Sequence, residues 1–157
     1  MSLDHDELRA FAARLADESE RWAHILDAAP GARRYELIWD DEDINAWAIV
    51  WSEDADTGFH DHDLSAAAIA VVAGTVREDR LSLSGLPRVR LFGGGETFTV
   101  EPSAIHRVLH AGRGAAVTIH AYSPPLRRMG AYSVTDEGVL ERESQSFETE
   151  LRAPAVA

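Results

Sequence analysis

Two histidines separated by one residue are the first side chains here whose types and spacing could do chemistry. His60 and His62 lie in the stretch 57–62, Thr-Gly-Phe-His-Asp-His. Side chains alternate between the two faces of an extended strand, so both imidazoles are expected on one face. Two neutral imidazoles on one face can bind a divalent transition metal. The alternative is a polar surface turn, because aspartates surround the pair: Asp54, Asp56, Asp61 and Asp63.

A third histidine extends this hypothesis. His106 follows a turn marked by Pro102 and opens a predicted strand, as a residue at the rim of a barrel would. Three neutral nitrogen ligands on one side of an ion leave adjacent positions open for substrate and oxygen. The chain contains no cysteine, so a thiolate cannot complete a closed four-ligand structural site. If metal binds, the pattern favours a reactive centre over a structural one.

A second polar group lies on one later segment. Thr118, His120 and Tyr122 are spaced by two residues and therefore share one face of their predicted strand. If that face is buried, the three side chains must hydrogen-bond one another, and a Thr–His–Tyr relay would orient the phenol for proton exchange. The alternative is that this face points to solvent, where polar side chains cost nothing. Spacing alone favours the solvent-facing alternative.

The elements that must position these residues are mostly strands. Apolar residues recur at three- and four-residue steps over 3–28, which predicts one amphipathic helix or two short ones, started by Asp4 or Ser2 and stopped by Pro30-Gly31. Segments 34–39 and 44–51 then predict a hairpin around an acidic turn. About nine short strands with turns every 8 to 12 residues indicate an all-β sandwich or small barrel.

Length and charge limit the function classes. A chain of 157 residues is expected to form one domain, 1–157, with a helical segment over about 3–28 and β-structure over about 33–147. A formal net charge of -12 opposes binding to a nucleic-acid backbone. Membrane-spanning and secretory patterns are both missing from the sequence. A soluble, cytoplasmic protein is therefore expected.

Several of these motifs together resemble a known family. Residues 58–62, the run to Gly74 and residues 102–106 resemble the two motifs of the cupin superfamily. More narrowly, His106-Arg107-Val108 followed by 118–125, with its ending His-x-Tyr-Ser-Pro-Pro, resembles cysteine dioxygenase and the bacterial thiol dioxygenases. The resemblance spans roughly 34–132. It implies a cupin-type β-barrel, a double-stranded β-helix or jelly roll, preceded by N-terminal helix.

The resemblance also implies a reaction and the residues that perform it. Members of this family use three histidines to hold Fe(II) and oxidise a small thiol with O2 to its sulfinic acid. By position, the iron ligands would be His60, His62 and His106. The serine–histidine–tyrosine relay of the family corresponds here to Thr118, His120 and Tyr122. The match therefore favours the buried alternative for that strand face.

The substrate-binding arginine is assigned by the same resemblance. The family's arginine that binds the substrate carboxylate corresponds to Arg34, with Arg33 adjacent. Some thiol dioxygenases use an arginine after the relay tyrosine instead, which would make Arg127 or Arg128 candidates. The substrates implied are cysteine and compounds like 3-mercaptopropionate. The peptide bond Ser123–Pro124 is expected to be cis, as in relatives.

This chain departs from its relatives at one position in particular. Many cupins have a glutamate ligand about five residues after His-x-His, and mammalian members of the family have there a cysteine cross-linked to the tyrosine. This chain has Ala67. Many bacterial relatives also lack the cross-link.

Three functions are compatible with this pattern. An Fe(II)-dependent thiol dioxygenase is preferred. A non-catalytic metal-binding cupin that senses or carries a small acid is the second, and a cupin isomerase or hydrolase with another divalent metal is the third. Three-histidine sites accept nickel, zinc, cobalt and iron, and the oligomeric state is left open.

Overall fold

The part of the chain that the structure describes, residues 2–27 and 34–146 of a computed structural model, begins with an α-helix. Helix α1 spans His5–Asp17. Its N-terminus forms a capping box, in which the Asp4 carboxylate accepts from the Glu7 backbone N–H at 2.9 Å and Glu7 accepts from that of Asp4 at 3.0 Å. Of the two predicted helix starts, Asp4 and Ser2, Asp4 is therefore the N-cap residue.

Two short 3₁₀ segments follow α1, at Ser19–Arg21 and Ala23–Asp27. The predicted helical segment 3–28 is thus one α-helix and two tighter turns as far as the structure describes it. The Trp22 indole donates to the Leu15 carbonyl at 3.1 Å, which satisfies one carbonyl at the end of α1. The predicted stop at Pro30-Gly31 lies outside the described residues.

Eleven strands are present in the described residues, against about nine predicted. They are β1 Arg34–Asp40, β2 Asn45–Trp51, β3 His60–Asp61, β4 Ala66–Ala73, β5 Thr75–Arg80, β6 Arg88–Gly93, β7 Thr97–Val100, β8 His106–Ala111, β9 Ala116–Ser123, β10 Arg128–Val134 and β11 Leu140–Ser146. The predicted all-β class with a helical N-terminal segment is confirmed.

The strands form two antiparallel sheets. Sheet A has the order β1-β2-β9-β4-β7, and sheet B has the order β11-β10-β3-β8-β5-β6. The predicted β1–β2 hairpin is confirmed, and the last two strands form a second hairpin, β10–β11. From β2 to β10, consecutive strands lie in different sheets except for β5 and β6, so residues far apart in sequence come to face one another.

Helix α1 covers the outer face of sheet A because that face carries small side chains. Leu8, Ala12 and Leu15 of the helix pack in one buried cluster with alternate residues of β2, β4 and β9. Most of those strand residues are alanines: Ala46, Ala48, Ala66, Ala68, Ala70 and Ala121. Short side chains let the helix backbone approach the sheet closely, and the contact removes apolar surface from water.

The inner face of sheet A carries larger side chains that pack toward sheet B. Trp47, Ile49 and Trp51 of β2 belong to this second buried cluster, together with Tyr122 of β9 and Val108 of β8. Neighbouring residues of a strand face opposite ways, and both faces of β2 are covered by a buried cluster. The strand is therefore buried along its whole length. The space between the sheets is therefore where polar groups would be shielded from water.

Among the described residues, no helix is both long enough and apolar enough to span a membrane. The cytoplasmic location and the single domain over 1–157 stay predictions.

Candidate metal centre

Three histidines meet on the inner side of sheet B. His60 lies on β3, His62 directly follows that strand, and His106 opens β8 as the register partner of His60. All three side chains are buried, with exposed fractions of 1%, 0% and 0%. Their ring centroids are 4.6 to 5.0 Å apart. The structure thus brings together the three histidines that the sequence selects.

The rings are turned so that their Nε2 atoms converge. His62 Nε2 lies 3.2 Å from His60 Nε2 and 3.4 Å from His106 Nε2. His60 Nδ1 lies 3.0 Å from the Gly58 carbonyl, and His106 Nδ1 lies 3.0 Å from a Glu78 carboxylate oxygen. Both neighbours are acceptors, so in a neutral ring they hold the proton on Nδ1 and leave the Nε2 lone pair toward the cluster.

This donor set fits a divalent transition metal. One nitrogen from each ring lies within 4.8 Å of the others, so the three could hold one ion. Burial lowers the pKa of His106 well below its ordinary value, so its ring is neutral at physiological pH. Neutral imidazole is the form that ligates, and three such ligands leave positions open for other molecules.

Two tight turns bracket β3. Gly58 before the strand has a φ of 70°, and Asp63 after it has a φ of 54°. The side chains of Asp56 and Asp61 accept from the backbone N–H groups of Gly58 at 2.8 Å and Asp63 at 2.9 Å. These local bonds favour the left-handed backbone at both turns. They explain why a two-residue strand can present His60 and His62 to the same ion.

Asp61 faces the opposite way from the two histidines and fastens β3 to the C-terminal hairpin. Its carboxylate accepts from the Tyr132 hydroxyl at 2.6 Å and from Arg142 at 2.8 and 3.0 Å. It also accepts from the Gly130 backbone N–H at 3.0 Å. We call these four residues the Asp61 cluster. Burial alone would raise the pKa of Asp61, but these hydrogen bonds outweigh it and hold the pKa well below its usual range.

Gly130 is required for this arrangement. A Cβ at Gly130 would lie 2.2 Å from Arg142 Nε and 2.7 Å from Asp61 Oδ2. Only glycine lets the carboxylate and guanidinium meet across β10. The sequence does not predict this cluster, because Asp61 and Arg142 are 81 residues apart.

The second polar group is buried as well. Thr118, His120 and Tyr122 are each 0% exposed, so the solvent-facing alternative for this strand face is wrong. His120 Nε2 lies 2.9 Å from Thr118 Oγ1, and His120 Nδ1 lies 3.3 Å from the Tyr122 hydroxyl. The Trp51 indole donates to Thr118 Oγ1 at 2.7 Å, a fourth member that the sequence analysis did not include.

The two polar groups come from different sheets and meet between them. Tyr122 is on β9 of sheet A, and its ring contacts that of His62 with centroids 5.1 Å apart and planes at 70°. The end of the hydrogen-bonded chain therefore lies beside the histidine cluster. This contact joins the histidine cluster to the hydrogen-bonded chain of Thr118, His120 and Tyr122.

A cavity opens toward this centre. It has a volume of about 450 Å³ and reaches His62. Its other lining residues come from the turn after β3, the turn after β9, the start of β10 and the β1–β2 turn: Glu42, Asp63, Leu64, Ser65, Pro124, Pro125, Arg127 and Arg128. Its size is in the range of small-molecule sites.

The candidate arginines occupy different places. Arg127 and Arg128 line the cavity that reaches His62. Arg34 is the register partner of Val50, whose side chain is in the outer cluster beneath α1, and Arg34 Nη1 donates to the Leu26 carbonyl at 3.3 Å. Directly paired residues share a face, so Arg34 is on the outer face of sheet A. Arg33 lies outside the described residues, and the assignment to Arg34 stays a prediction.

The position that differs from relatives lies beside the relay tyrosine. Ala67 is the register partner of Tyr122 and is fully buried on the same inner face. A longer side chain at this position would therefore contact the phenol ring. The Ser123–Pro124 peptide bond is cis, as predicted.

Comparison with known proteins agrees with this geometry. A family model described as cysteine dioxygenase type I matches residues 2–135. No curated protein sequence matches this chain significantly.

Solved structures with the same fold are distant in sequence. KdgF from Halomonas sp. is 15% identical with a TM-score of 0.53, over 62% of this chain and 85% of that one. The Cnp3 cupin domain of Schizosaccharomyces pombe is 8% identical with a TM-score of 0.54, over 63% and 66%. A Klebsiella pneumoniae protein with a double-stranded β-helix domain is 12% identical with a TM-score of 0.56, over 78% and 89%. These structural similarities confirm the cupin fold but do not indicate the function of this chain.

Removing Arg142 should loosen β3. In Arg142→Met the Asp61 carboxylate loses two charge-assisted hydrogen bonds, so we expect the free energy of unfolding to fall by about 1–3 kcal/mol. Urea unfolding of the metal-free protein, followed by tryptophan fluorescence, measures this.

Arg14→Met is the matched control, because Arg14 pairs with Glu18 on the surface with 53% of its side chain exposed. That change should cost well under about 1 kcal/mol. Equal stability of the two variants would contradict a role for the Asp61 cluster in fixing the strand.

Proposed function

This chain belongs to the cysteine dioxygenase type I family, and we propose that it is an Fe(II)-dependent thiol dioxygenase. Its substrate would be a small thiol carboxylate, cysteine or a compound like 3-mercaptopropionate, and its product the sulfinic acid. The observation that carries the proposal is the buried contact between His62 of the histidine cluster and Tyr122 of the polar relay. A metal site that only stabilises the fold does not require a proton relay beside it.

In this proposal His60, His62 and His106 hold the iron through their Nε2 atoms. Iron(II), when bound, supplies adjacent open positions at which a thiolate and O2 can be activated together. The net reaction is RSH + O2 → RSO2H. Both oxygen atoms end on the sulfur, which is oxidised as O2 is reduced, so no other reductant is consumed.

The relay residues would set the direction in which Tyr122 donates its proton. In the described structure, Thr118 Oγ1 has two polar neighbours, Trp51 Nε1 and His120 Nε2. An indole N–H can only donate, so Thr118 accepts there, and in this proposal Thr118 donates its own hydrogen to His120 Nε2. A neutral His120 then carries its proton on Nδ1 and donates it to the phenol oxygen of Tyr122.

It follows that the phenolic hydrogen of Tyr122 is directed away from His120. Tyr122 would then donate a hydrogen bond or a proton toward the space beside His62, where the reacting oxygen would lie. Burial of all four relay residues excludes water, which would otherwise compete for these hydrogen bonds. The relay would therefore act on the substrate side of the site.

A cation must bind the substrate carboxylate. The family resemblance proposes Arg34, whereas the lining of the cavity that reaches His62 supports Arg127 or Arg128. The Arg127 side chain is 62% exposed and 3.8 Å from Asp40, so it can reorient toward an anion. A guanidinium can pair with a carboxylate through two parallel hydrogen bonds.

O2 consumption tests the proposal. Anaerobically Fe(II)-reconstituted protein should consume O2 in equal amounts with one thiol of a panel and release its sulfinate, detected by mass. The panel includes cysteine, cysteamine and 3-mercaptopropionate, which differ in their charged groups. With iron confirmed bound, no uptake across the panel would instead support a cupin that binds or carries a small acid.

The metal and relay roles separate in two variants. His60→Ala should abolish iron loading, because two ligands cannot hold the ion. Tyr122→Phe should retain iron and lose turnover by about 10²- to 10⁴-fold, the usual scale for a proton-transfer group. Metal analysis and initial rates measure the two effects.

His110→Ala provides the control for substitution of a histidine in sheet B, since His110 bonds to the Gly114 carbonyl and is outside the cluster. It should retain both iron and turnover. Normal turnover in Tyr122→Phe, or loss of its iron, would count against the proposed relay.

The four arginine candidates can be distinguished by KM. We expect Arg127→Met or Arg128→Met to raise the KM for a thiol carboxylate by about 10- to 100-fold, the cost of losing a charged hydrogen-bond partner. If the cavity-based assignment is right, Arg34→Met and Arg33→Met leave KM unchanged. A raised KM in Arg34→Met alone would support the resemblance-based assignment and refute the one based on the cavity.

A further inference from the structure

Glu78 is a fully buried carboxylate that the proposed reaction does not use. It lies within β5 on the inner face of sheet B, as the register partner of Val108 on β8 and Arg90 on β6. Its side chain is 0% exposed. An ionised carboxylate in such a place costs several kcal/mol unless it is paired, so its partners indicate why it is there.

Both carboxylate oxygens of Glu78 are hydrogen-bonded. Oε1 accepts from His106 Nδ1 at 3.0 Å and from Arg80 at 2.8 and 3.3 Å. Oε2 accepts from Arg90 at 2.7 and 3.3 Å. Two guanidinium groups therefore keep Glu78 ionised, and the remaining donor is a histidine of the candidate metal centre.

The two arginines are themselves fixed. Arg80 also donates to the Thr99 carbonyl at 2.9 Å and is 19% exposed, and Arg90 lies over the Phe92 ring at 5.0 Å. The Glu78 carboxylate is thus held in place as an acceptor for His106 Nδ1.

We propose that Glu78 is a positioning residue for the metal, an outer-sphere carboxylate that fixes His106 as an Nε2 ligand and strengthens it. The hydrogen bond from Nδ1–H to a carboxylate makes the opposite nitrogen more basic, which increases metal affinity. This inference rests on the proposed metal site but on no thiol or O2 chemistry.

A purely structural role for Glu78 would leave metal affinity unchanged. The ion pair with Arg90 joins β5 to β6, and the hydrogen bond from Arg80 to the Thr99 carbonyl joins β5 to β7. Both contacts would contribute to stability whether or not metal binds. The two roles are separated by measuring metal affinity and folding stability independently in matched variants.

The test uses Co²⁺ as the probe, because its visible absorption reports binding without O2 or thiol. Glu78→Gln keeps the shape of the side chain and removes its charge. Titration in competition with a chelator should show a Kd about 10- to 100-fold higher than that of the unaltered protein. A Kd within about twofold of the unaltered value overturns the proposal.

Another histidine–glutamate pair, on the surface of the protein, provides a matched control. His24 Nε2 lies 2.7 Å from Glu36 Oε2 on the surface, with the two side chains 54% and 45% exposed. Glu36→Gln should leave the Kd for Co²⁺ unchanged. If it raises the Kd as much as Glu78→Gln does, the effect is one of overall charge and the proposal is wrong.

Two further measurements test the proposal even if Glu78→Gln folds poorly. Arg90→Met removes an ion pair but not the His106 contact, so it should lose stability while its Kd rises less than in Glu78→Gln. In the unaltered metal-free protein, long-range ¹H–¹⁵N correlation should show the His106 proton on Nδ1. A proton on Nε2 of His106 would overturn the proposal. The metal site itself is tested separately with His60→Ala, which should lose Co²⁺ binding.

Discussion

The structure depends on burying three imidazole rings next to one another with their Nε2 atoms converging. Each ring must be neutral and correctly rotated, and for two of the rings an acceptor at Nδ1 fixes the tautomer that leaves Nε2 as the ligand. The Gly58 carbonyl serves His60, and the Glu78 carboxylate serves His106. Much of the polar structure of sheet B follows from this requirement, since Arg80 and Arg90 are needed to keep Glu78 ionised in a dry interior.

A second consequence concerns β3, which is only two residues long. So short a strand cannot be held by ladder hydrogen bonds alone, and the Asp61 carboxylate on its outer side provides the missing restraint. The His-x-His pattern therefore has two functions on two faces, with imidazoles directed inward and a carboxylate fastened outward to Tyr132 and Arg142. The C-terminal hairpin is in this sense part of the candidate site.

The sequence could predict whatever depends on local spacing. The alternation of side chains identified the shared face of His60 and His62 and that of Thr118, His120 and Tyr122, and it identified the β1–β2 hairpin. What it missed depends on register between distant strands. Glu78 reaches His106 across β5 and β8, and the bonds of Asp61 to Arg142 and of Trp51 to Thr118 span 81 and 67 residues. Arg34 shows the same limit, because its face is set by its pairing with Val50 and not by its distance from His60.

The proposed dioxygenase joins these parts, with three histidines from sheet B, a relay from sheet A and a cavity between turns of both. The most direct measurement is the fate of oxygen-18 gas during turnover of the Fe(II)-loaded protein with its preferred thiol. The account predicts a sulfinate that carries oxygen-18 at both of its oxygen atoms. A product with label at one atom or at neither would contradict it, because oxygen would then come from water and the protein would not be a dioxygenase.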